Sequence, residues 1–317
     1  MTNMKKNFIP VSPGFIYSFH EALPFDVFLE RSDDKFTAIY KKNSTYDKDQ
    51  IARYQSKNVM HFYVSKSDTF ELENFIVNLR VLESFDKNQA VEIFKFSFEL
   101  FFSQLKFEDH LLQENLDLAT FNVKNSMKLL ENDPHLAMEI FKAISIDSQL
   151  LKHSYMVSLF SIILAKKLGM ISNRILLQIG LGALLHDIGQ TRINQEIFNK
   201  INLTPAEWET IKDHPQLGLK ILDHSKSINS AVRSIIIQHH EQFNGRGYPN
   251  RLHNNQIFPP AKVVSIADGF CSIVSQTSYR KSDKTPEEAI EIMLDDLGHY
   301  DPEMLEVFKS IVLQKKN

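Results

Sequence analysis

The spacing of hydrophobic positions changes near residue 80, and the chain divides there. Upstream, FIYSFH (Phe15–His20), DVFLERS (Asp26–Ser32), KFTAIYKK (Lys35–Lys42) and VMHFYVS (Val59–Ser65) are short aromatic and β-branched runs broken by Pro24, Ser32-Asp33 and Asn43-Ser44. That texture predicts strands joined by turns. Helices are predicted over Tyr46–Gln55 and Asp68–Leu79, so residues 1–80 read as a small α+β module with no glycine-rich phosphate loop and no cluster of ligand residues. From Leu82 to Ser148 the pattern is helical, with a helix start at Asn132-Asp133-Pro134, because proline is tolerated at the first helical position. Residues 81–144 read as a helical connector. Phe94, Phe96, Phe98, Phe101 and Phe102 crowd one part of it, as a core between helices or as a dimer face.

Residues 145–317 read as a helical domain. His153, Val157, Phe160 and Leu164 share a face, and Gly169 is placed to close that helix in a left-handed conformation. Thr204-Pro205-Ala206-Glu207 and Thr285-Pro286-Glu287-Glu288 each combine an N-cap hydroxyl, a first-turn proline and a glutamate three positions on. Ile228, Val232, Ile235, Ile236, His239 and His240 form an apolar stripe that ends in imidazoles. Then come the twenty residues EQFNGRGYPNRLHNNQIFPP, rich in Gly, Pro and Asn and without an apolar period. A loop of that length between helices is uncommon and is usually functional or disordered. The predicted fold class is mainly α, an all-α domain preceded by the α+β module.

Composition narrows the setting. A hydrophobic content of 43% in 317 residues is enough for two cores. The single Cys271 excludes an intramolecular disulfide framework, and MTNMKKNFIPVSPG lacks the apolar core of a secretory signal, so a cytoplasmic location is expected. The longest apolar stretch, MVSLFSIILA from Met156, falls short of the roughly 20 residues a membrane span needs. A net charge of −3 with interspersed signs gives no broad attraction to a nucleic-acid polymer, so a small partner is expected.

The chemistry concentrates between His153 and Asp268. Five histidines and two aspartates stand at separated points: His153, the pair His186-Asp187, His214, the pair His239-His240, and Asp268. These are enough for two metal ions. Ile179, Ala183 and His186 recur at helical spacing, so His186 continues a buried face, where a polar side chain needs a partner. Neutral imidazoles and carboxylates suit iron, manganese or zinc, and the absence of clustered thiolates argues against a structural zinc finger. Adjacent helical positions diverge by about 100°, so His239 and His240 can face different ions.

Taken in order, HS at His153, HDIG at His186–Gly189, LTPAEWETIKDHPQLGLKIL around His214, HHEQFNGRGYP from His239 to Pro249 and SIADGF around Asp268 resemble the HD-GYP domains. These are a branch of the HD hydrolase superfamily associated with hydrolysis of cyclic di-GMP. The resemblance covers roughly residues 145 to 317, and more weakly the first module resembles the variable regulatory segments that precede such domains. It implies two divalent metals bridged by Asp187, with His153, His186 and Asp268 on one and His214, His239 and His240 on the other. Iron is the first expectation, with manganese and zinc as alternatives, and a bridging hydroxide is the nucleophile. Two such metals clamp the oxygens of an in-line displacement at phosphorus.

The resemblance also implies catalytic roles for Asp187 and Gln190, and substrate contacts at Gln190, Gly247, Tyr248 and Arg280. Gly245 and Gly247 would let the backbone turn sharply beside a ligand. Tyr248 packing across its own turn, and Arg280 as a solvated charge, stay open beside those roles. The expected partners are cyclic di-GMP or a related nucleotide, together with a signalling protein or a second copy of the chain.

Several positions depart from the family pattern. Gln190 stands where a lysine approaches the scissile phosphate, and Gln149 replaces a glutamate that can help hold a third metal. Cys271 and Asn244 replace aspartates, and Gln276–Arg280 replaces DRPYR, with Thr277 in place of an arginine. Each lost charged contact costs on the order of 1.5 to 3 kcal/mol where buried and hydrogen-bonded. Three functions therefore stand: a cyclic di-GMP phosphodiesterase, a catalytically degenerate receptor for metal and nucleotide, and a hydrolase of another phosphate ester.

Overall fold

A computed structural model describes residues 7–19, 22–32, 35–79, 85–105, 113–132, 149–223, 225, 227–274 and 284–313. Among these, one compact unit runs to Phe101, and a second takes the helix over 113–132 and everything from 149 onward.

The first unit is built on a four-stranded antiparallel sheet of order β1-β4-β2-β3, from β1 (Phe8–Val11), β2 (Val27–Ser32), β3 (Lys35–Tyr40) and β4 (Phe62–Ser65). Ile9 pairs with Val64 and Val11 with Phe62, so their side chains share the buried face with Val27 and Leu29. The opposite face carries Phe8, Phe28, Phe36 and Tyr63, with Phe8 stacked on Phe36 at 4.0 Å.

Three of the predicted strands form, but FIYSFH does not. Its Phe15–Tyr17 belong instead to helix α1 (Pro13–Tyr17), because the Ser12 hydroxyl accepts the Phe15 N–H at 3.0 Å and Pro13 pre-sets the first turn; His20 lies outside the described residues. Capping outweighs the aromatic content here, and the first strand is the preceding Phe8–Val11. The two predicted helices appear as α2 (Lys48–Ser56) and α3 (Thr69–Val77).

Helix α4 (Lys87–Leu105) buries Phe94, Phe96, Phe98 and Phe101, with Phe96 against Phe15 at 4.2 Å. Those rings are core, and the Phe102 side chain lies outside the described ones. The stretch read as a connector, 81–144, is divided between the units: α4 falls with the first up to Phe101, and α5 (Gln113–Asn132) with the second. The helix start expected at Asn132-Asp133-Pro134 falls outside the described residues, which break off at Asn132, the end of α5.

In the second unit α6 (Gln149–Lys167) packs along α7 (Asn173–Leu185) and α11 (Pro259–Val274), while α7 also meets α5 and α10 (Ser230–Gln238). Gly169 ends the α6 segment at φ +83°. Both sequence-marked caps are full capping boxes, Thr204–Glu207 opening α8 (Pro205–Lys212) and Thr285–Glu288 opening α12 (Pro286–Asp295). Between them lie α9 (His214–Ile221) and the 241–258 loop, and α13 (Pro302–Val312) completes the unit under an Asp301 cap. Among the described residues no helix is long and apolar enough to cross a membrane.

Phe308 of α13 is fully buried, edge-on to Phe270 of α11 at 5.2 Å and to Phe160 of α6 at 5.8 Å. It locks together the two helices that bring His153 to Asp268. Phe308→Ala is expected to destabilise this unit by about 3–5 kcal/mol, read as a lower midpoint in thermal denaturation followed by circular dichroism. An unchanged midpoint refutes the assignment of Phe308 as a lock.

Candidate metal centre

Five helices meet where their ends or middles carry the seven groups. His153 projects from the first turn and a half of α6, and Asp268 from the middle of α11. His186 caps the C-terminus of α7, and Asp187 follows as the chain tightens into a 3-10 turn over Ile188–Arg192. His214 opens α9, and His239 caps the C-terminus of α10 with His240 beside it.

Gly189 makes the 3-10 turn fit. A Cβ there would lie 1.9 Å from the His214 carbonyl oxygen and 2.6 Å from the Gly218 nitrogen, so only glycine lets the turn rest on α9 and bring His214 beside Asp187.

The ligand atoms fall into two groups. His153, His186 and Asp268 form one, and Asp187, His214, His239 and His240 the other, with the atoms of each group within 4.8 Å of one another. Asp187 reaches both: its Oδ1 is 3.1 Å from His214 Nε2, and its Oδ2 is 3.2 Å from His186 Nε2 and 3.8 Å from His153 Nε2. Asp268 Oδ1 lies 2.9 Å from His153 Nε2, and Oδ2 lies 4.0 Å from His240 Nδ1.

Three of the imidazoles are fixed in the same way. Nδ1 of His186 lies 2.7 Å from the Ala183 carbonyl, that of His214 2.8 Å from Ile211, and that of His239 2.7 Å from Ile236. A carbonyl can only accept, so each Nδ1 carries the proton and, in the neutral ring, each Nε2 turns a lone pair inward.

Two consequences test whether a cation fits. His214 Nε2 and His239 Nε2 face each other at 3.1 Å, lone pair against lone pair, unless something positive lies between them. His186 Nε2 and Asp187 Oδ1 are buried without an aligned hydrogen bond. Buried polar atoms normally find partners, and divalent cations satisfy all of these at once.

Charge follows the same logic. Burial holds His239 well below the usual histidine range, reinforced by His240, and burial pushes His240 down to about 4, so both rings are neutral donors at pH 7. For His186, burial also opposes charge, but the adjacent Asp187 wins and raises it to about 9. Burial works against ionising Asp187 and Asp268, yet His186 beside Asp187 and His153 beside Asp268 hold both carboxyls below the carboxylate range. A metal held by His186 and Asp187 would therefore take the place of the His186 proton.

Around this cluster the 241–258 loop is ordered. Tyr248 stacks on His240, with centroids 4.7 Å apart and planes at 26°, and lies 6.5 Å from the His214 ring. Burial, with Asp187 and Asp268 nearby, pushes its phenol up, so the hydroxyl stays a donor. Gly245 turns at φ +78°, as expected of a sharp bend. Gly247 has a different reason to be glycine: its Cβ would lie 2.3 Å from the Gln242 nitrogen and 2.4 Å from the His240 carbonyl oxygen, so it packs on backbone.

Gln190 is half-buried in the 3-10 turn, and its N–H donates to the Asp187 carbonyl at 2.9 Å. Asn244 bends the loop by accepting the Arg246 N–H at 2.9 Å, as an aspartate would. Arg280 and its neighbours 276–279 lie outside the described residues, as does the Gln149 side chain.

Sequence reading passed over Glu241. It is 2% exposed, and its carboxylate accepts the Asn250 N–H at 2.7 Å and the Leu252 N–H at 2.9 Å. Its only signal was its place next to the histidine pair.

Residues 139–304, over half of the chain, match the family model described as HD domain, and the chain belongs to that family. It is similar to the cyclic di-GMP phosphodiesterase PA4108 of Pseudomonas aeruginosa, 31% identical over 180 residues, which are 56% of this chain and 43% of that protein. It is also similar to a cyclic di-GMP phosphodiesterase of Thermotoga maritima, 36% identical over 165 residues, covering 51% and 44% of the two chains. The chain thus spans less than half the length of these curated relatives. Among solved structures, Bd1817, a HDG"Y"P protein from Bdellovibrio bacteriovorus, shares the fold, with a TM-score of 0.62 over 96% of this chain and 99% of that one at 19% identity.

The contact at Gly189 generates a prediction. Gly189→Ala is expected to cost about 1–3 kcal/mol, as overpacking does, and, by displacing His214, to lower the manganese content of protein reconstituted with that metal. Elemental analysis after desalting measures the second effect, and unaltered metal content together with unaltered stability contradicts the close contact.

Proposed function

We propose that this chain hydrolyses a phosphodiester bond of cyclic di-GMP at a dinuclear metal centre. The observation that carries the reading is Asp187, whose two oxygens face the two groups of ligands. The names of the relatives supply the substrate, and the donor set supplies the metal class: imidazole and carboxylate fit iron, with manganese and zinc as alternatives. Bound there, a pair of divalent cations supplies Lewis acidity at phosphorus and a nucleophile at neutral pH.

This chain's own residues do the rest. The carbonyl-bound Nδ1 atoms of His186, His214 and His239 keep three rings from rotating, so the site is aimed before any ion enters. Asp187 and Asp268, ionised and buried, supply the negative charge that retains cations. Tyr248 offers a protonated hydroxyl and a ring face at the edge of the centre, placed to position a nucleotide, with Gly247 setting the path of its loop. Gln190, at the family's lysine position, contributes a neutral amide donor, and Arg280 completes the proposed substrate contacts. A single cysteine, Cys271, buried and with its thiol pushed up by that burial, suits a reducing cytoplasm.

Gln190 favours a second reading. With an amide where a cation would meet the phosphate, the site binds metal and nucleotide and serves as a receptor without turnover.

Protein loaded anaerobically with iron or manganese is expected to linearise cyclic di-GMP, monitored by chromatography, and Asp187→Ala to abolish the reaction. Gln190→Lys is expected to raise turnover by about tenfold or more, the worth of one charge-assisted contact. Tight nucleotide binding with turnover at background establishes the receptor instead, and a better substrate in a phosphodiester panel reassigns the specificity.

A further inference from the structure

We infer that Glu241 is a positioning residue for the substrate: its buried carboxylate clasps residues 250–252 and so keeps Tyr248 stacked on His240 at the edge of the metal centre. This deepens the hydrolysis proposed above and rests on it.

The stretch 247–252 folds back on 240–242 through contacts at both of its ends. Near Tyr248, the Tyr248 N–H donates to the His240 carbonyl at 3.1 Å, and Gly247 presses on the backbone of His240–Gln242. After Tyr248, Glu241 takes over. Asn250 donates to one carboxylate oxygen at 2.7 Å and Leu252 to the other at 2.9 Å. Two amides of one three-residue stretch thus converge on one anion, on either side of Arg251 with its φ of +54°.

Other backbone ties close the base of the loop. Phe243 N–H donates to the His299 carbonyl and Asn244 N–H to that of Gly298, both at 2.8 Å, and Asn254 N–H returns to Phe243 at 3.1 Å. The Tyr248 segment is held by its own contacts with His240–Gln242 before it and by the clasp after it.

Chemistry specifies glutamate here. A carboxylate offers only acceptors and two oxygens, which suits several donors. Glutamine is nearly the same size, but its NH2 would face a backbone N–H and strand a buried donor. Released from the clasp, the segment loosens, and with it the tyrosine that faces the nucleotide; the rings of His186, His214 and His239, fixed by carbonyls of their own turns, stay in place.

The experiment compares the full chain with Glu241→Gln, Glu241→Asp, Tyr248→Ala and the Glu241→Gln/Tyr248→Ala double variant, each checked for folding by thermal melting. Three quantities are read: amide hydrogen exchange at residues 250–252, manganese content, and KM and kcat for cyclic di-GMP. Glu241→Gln is expected to speed exchange at 250–252 at least tenfold and to raise KM by about tenfold or more. Its effect on kcat should be within about threefold, and its metal content equal to that of the parent.

On the Tyr248→Ala background the Glu241→Gln effect on KM should vanish, because coupled residues are not additive. Glu241→Asp, which keeps the charge, should recover part of the KM. Unchanged exchange overturns the clasp, and an additive double variant overturns the route through Tyr248. Loss of metal with the substitution shows that Glu241 acts through His240 and overturns the inference too. A parent protein that neither binds nor hydrolyses cyclic di-GMP overturns the proposed function, and this inference with it, whereas an active parent and an indifferent Glu241→Gln overturn this inference alone.

Discussion

The contact on which the centre depends is the hydrogen bond from an imidazole Nδ1 to the carbonyl three residues earlier. His186, His214 and His239 each make it, although one caps the end of α7, one opens α9 and one caps the end of α10. In every case the bond stays within a single turn of chain, so ring orientation is set locally and survives small shifts between helices. Without it a buried ring could flip, and Nε2 would lose its aim. The inward lone pairs of His214 and His239 at 3.1 Å then follow as the strain of gathering acceptors in one place. Such an arrangement is costly unless a cation completes it.

Helix packing sets the distances, and apolar residues set the packing. His153 and Asp268 stand far apart in sequence, and their 2.9 Å approach exists because α6 lies along α11 with Phe160, Phe270 and Phe308 interlocked behind them. Gly189 does the corresponding work on the other side by letting a tight turn sit on the backbone of α9. The core and the chemistry are therefore not separable: a lost phenylalanine ring or an added methyl group reaches the ligands through a single contact.

Much of this could be read in the sequence because it depends on local signals. The capping boxes at Thr204 and Thr285, the left-handed Gly169 and the apolar stripe ending at His239 each announce themselves within a few residues. FIYSFH was misleading for the same reason. Its aromatic content suggested a strand, while the Ser12-Pro13 start that decides its conformation lies just outside the run. The grouping of ligands was legible only through family resemblance, since spacing cannot say which imidazole meets which aspartate across a helix interface. Glu241 was invisible in a different way: nothing periodic marks a carboxylate whose partners are amides nine to eleven positions ahead.

Two helices, α7 and α10, end at the centre, with His186 and His239 as their C-caps. The C-terminal end of a helix carries partial negative charge, and here it adds to the ionised Asp187 and Asp268. Before cations arrive, the two carboxylates, offset in part by the charged His186 ring and by the N-terminus of α9 at His214, leave the pocket net negative. Two divalent ions reverse its sign, since four positive charges outweigh two carboxylates. On the function proposed above, affinity for an anionic nucleotide would be conferred by loading and withdrawn by depletion, so the availability of metal would govern whether the pocket engages its ligand.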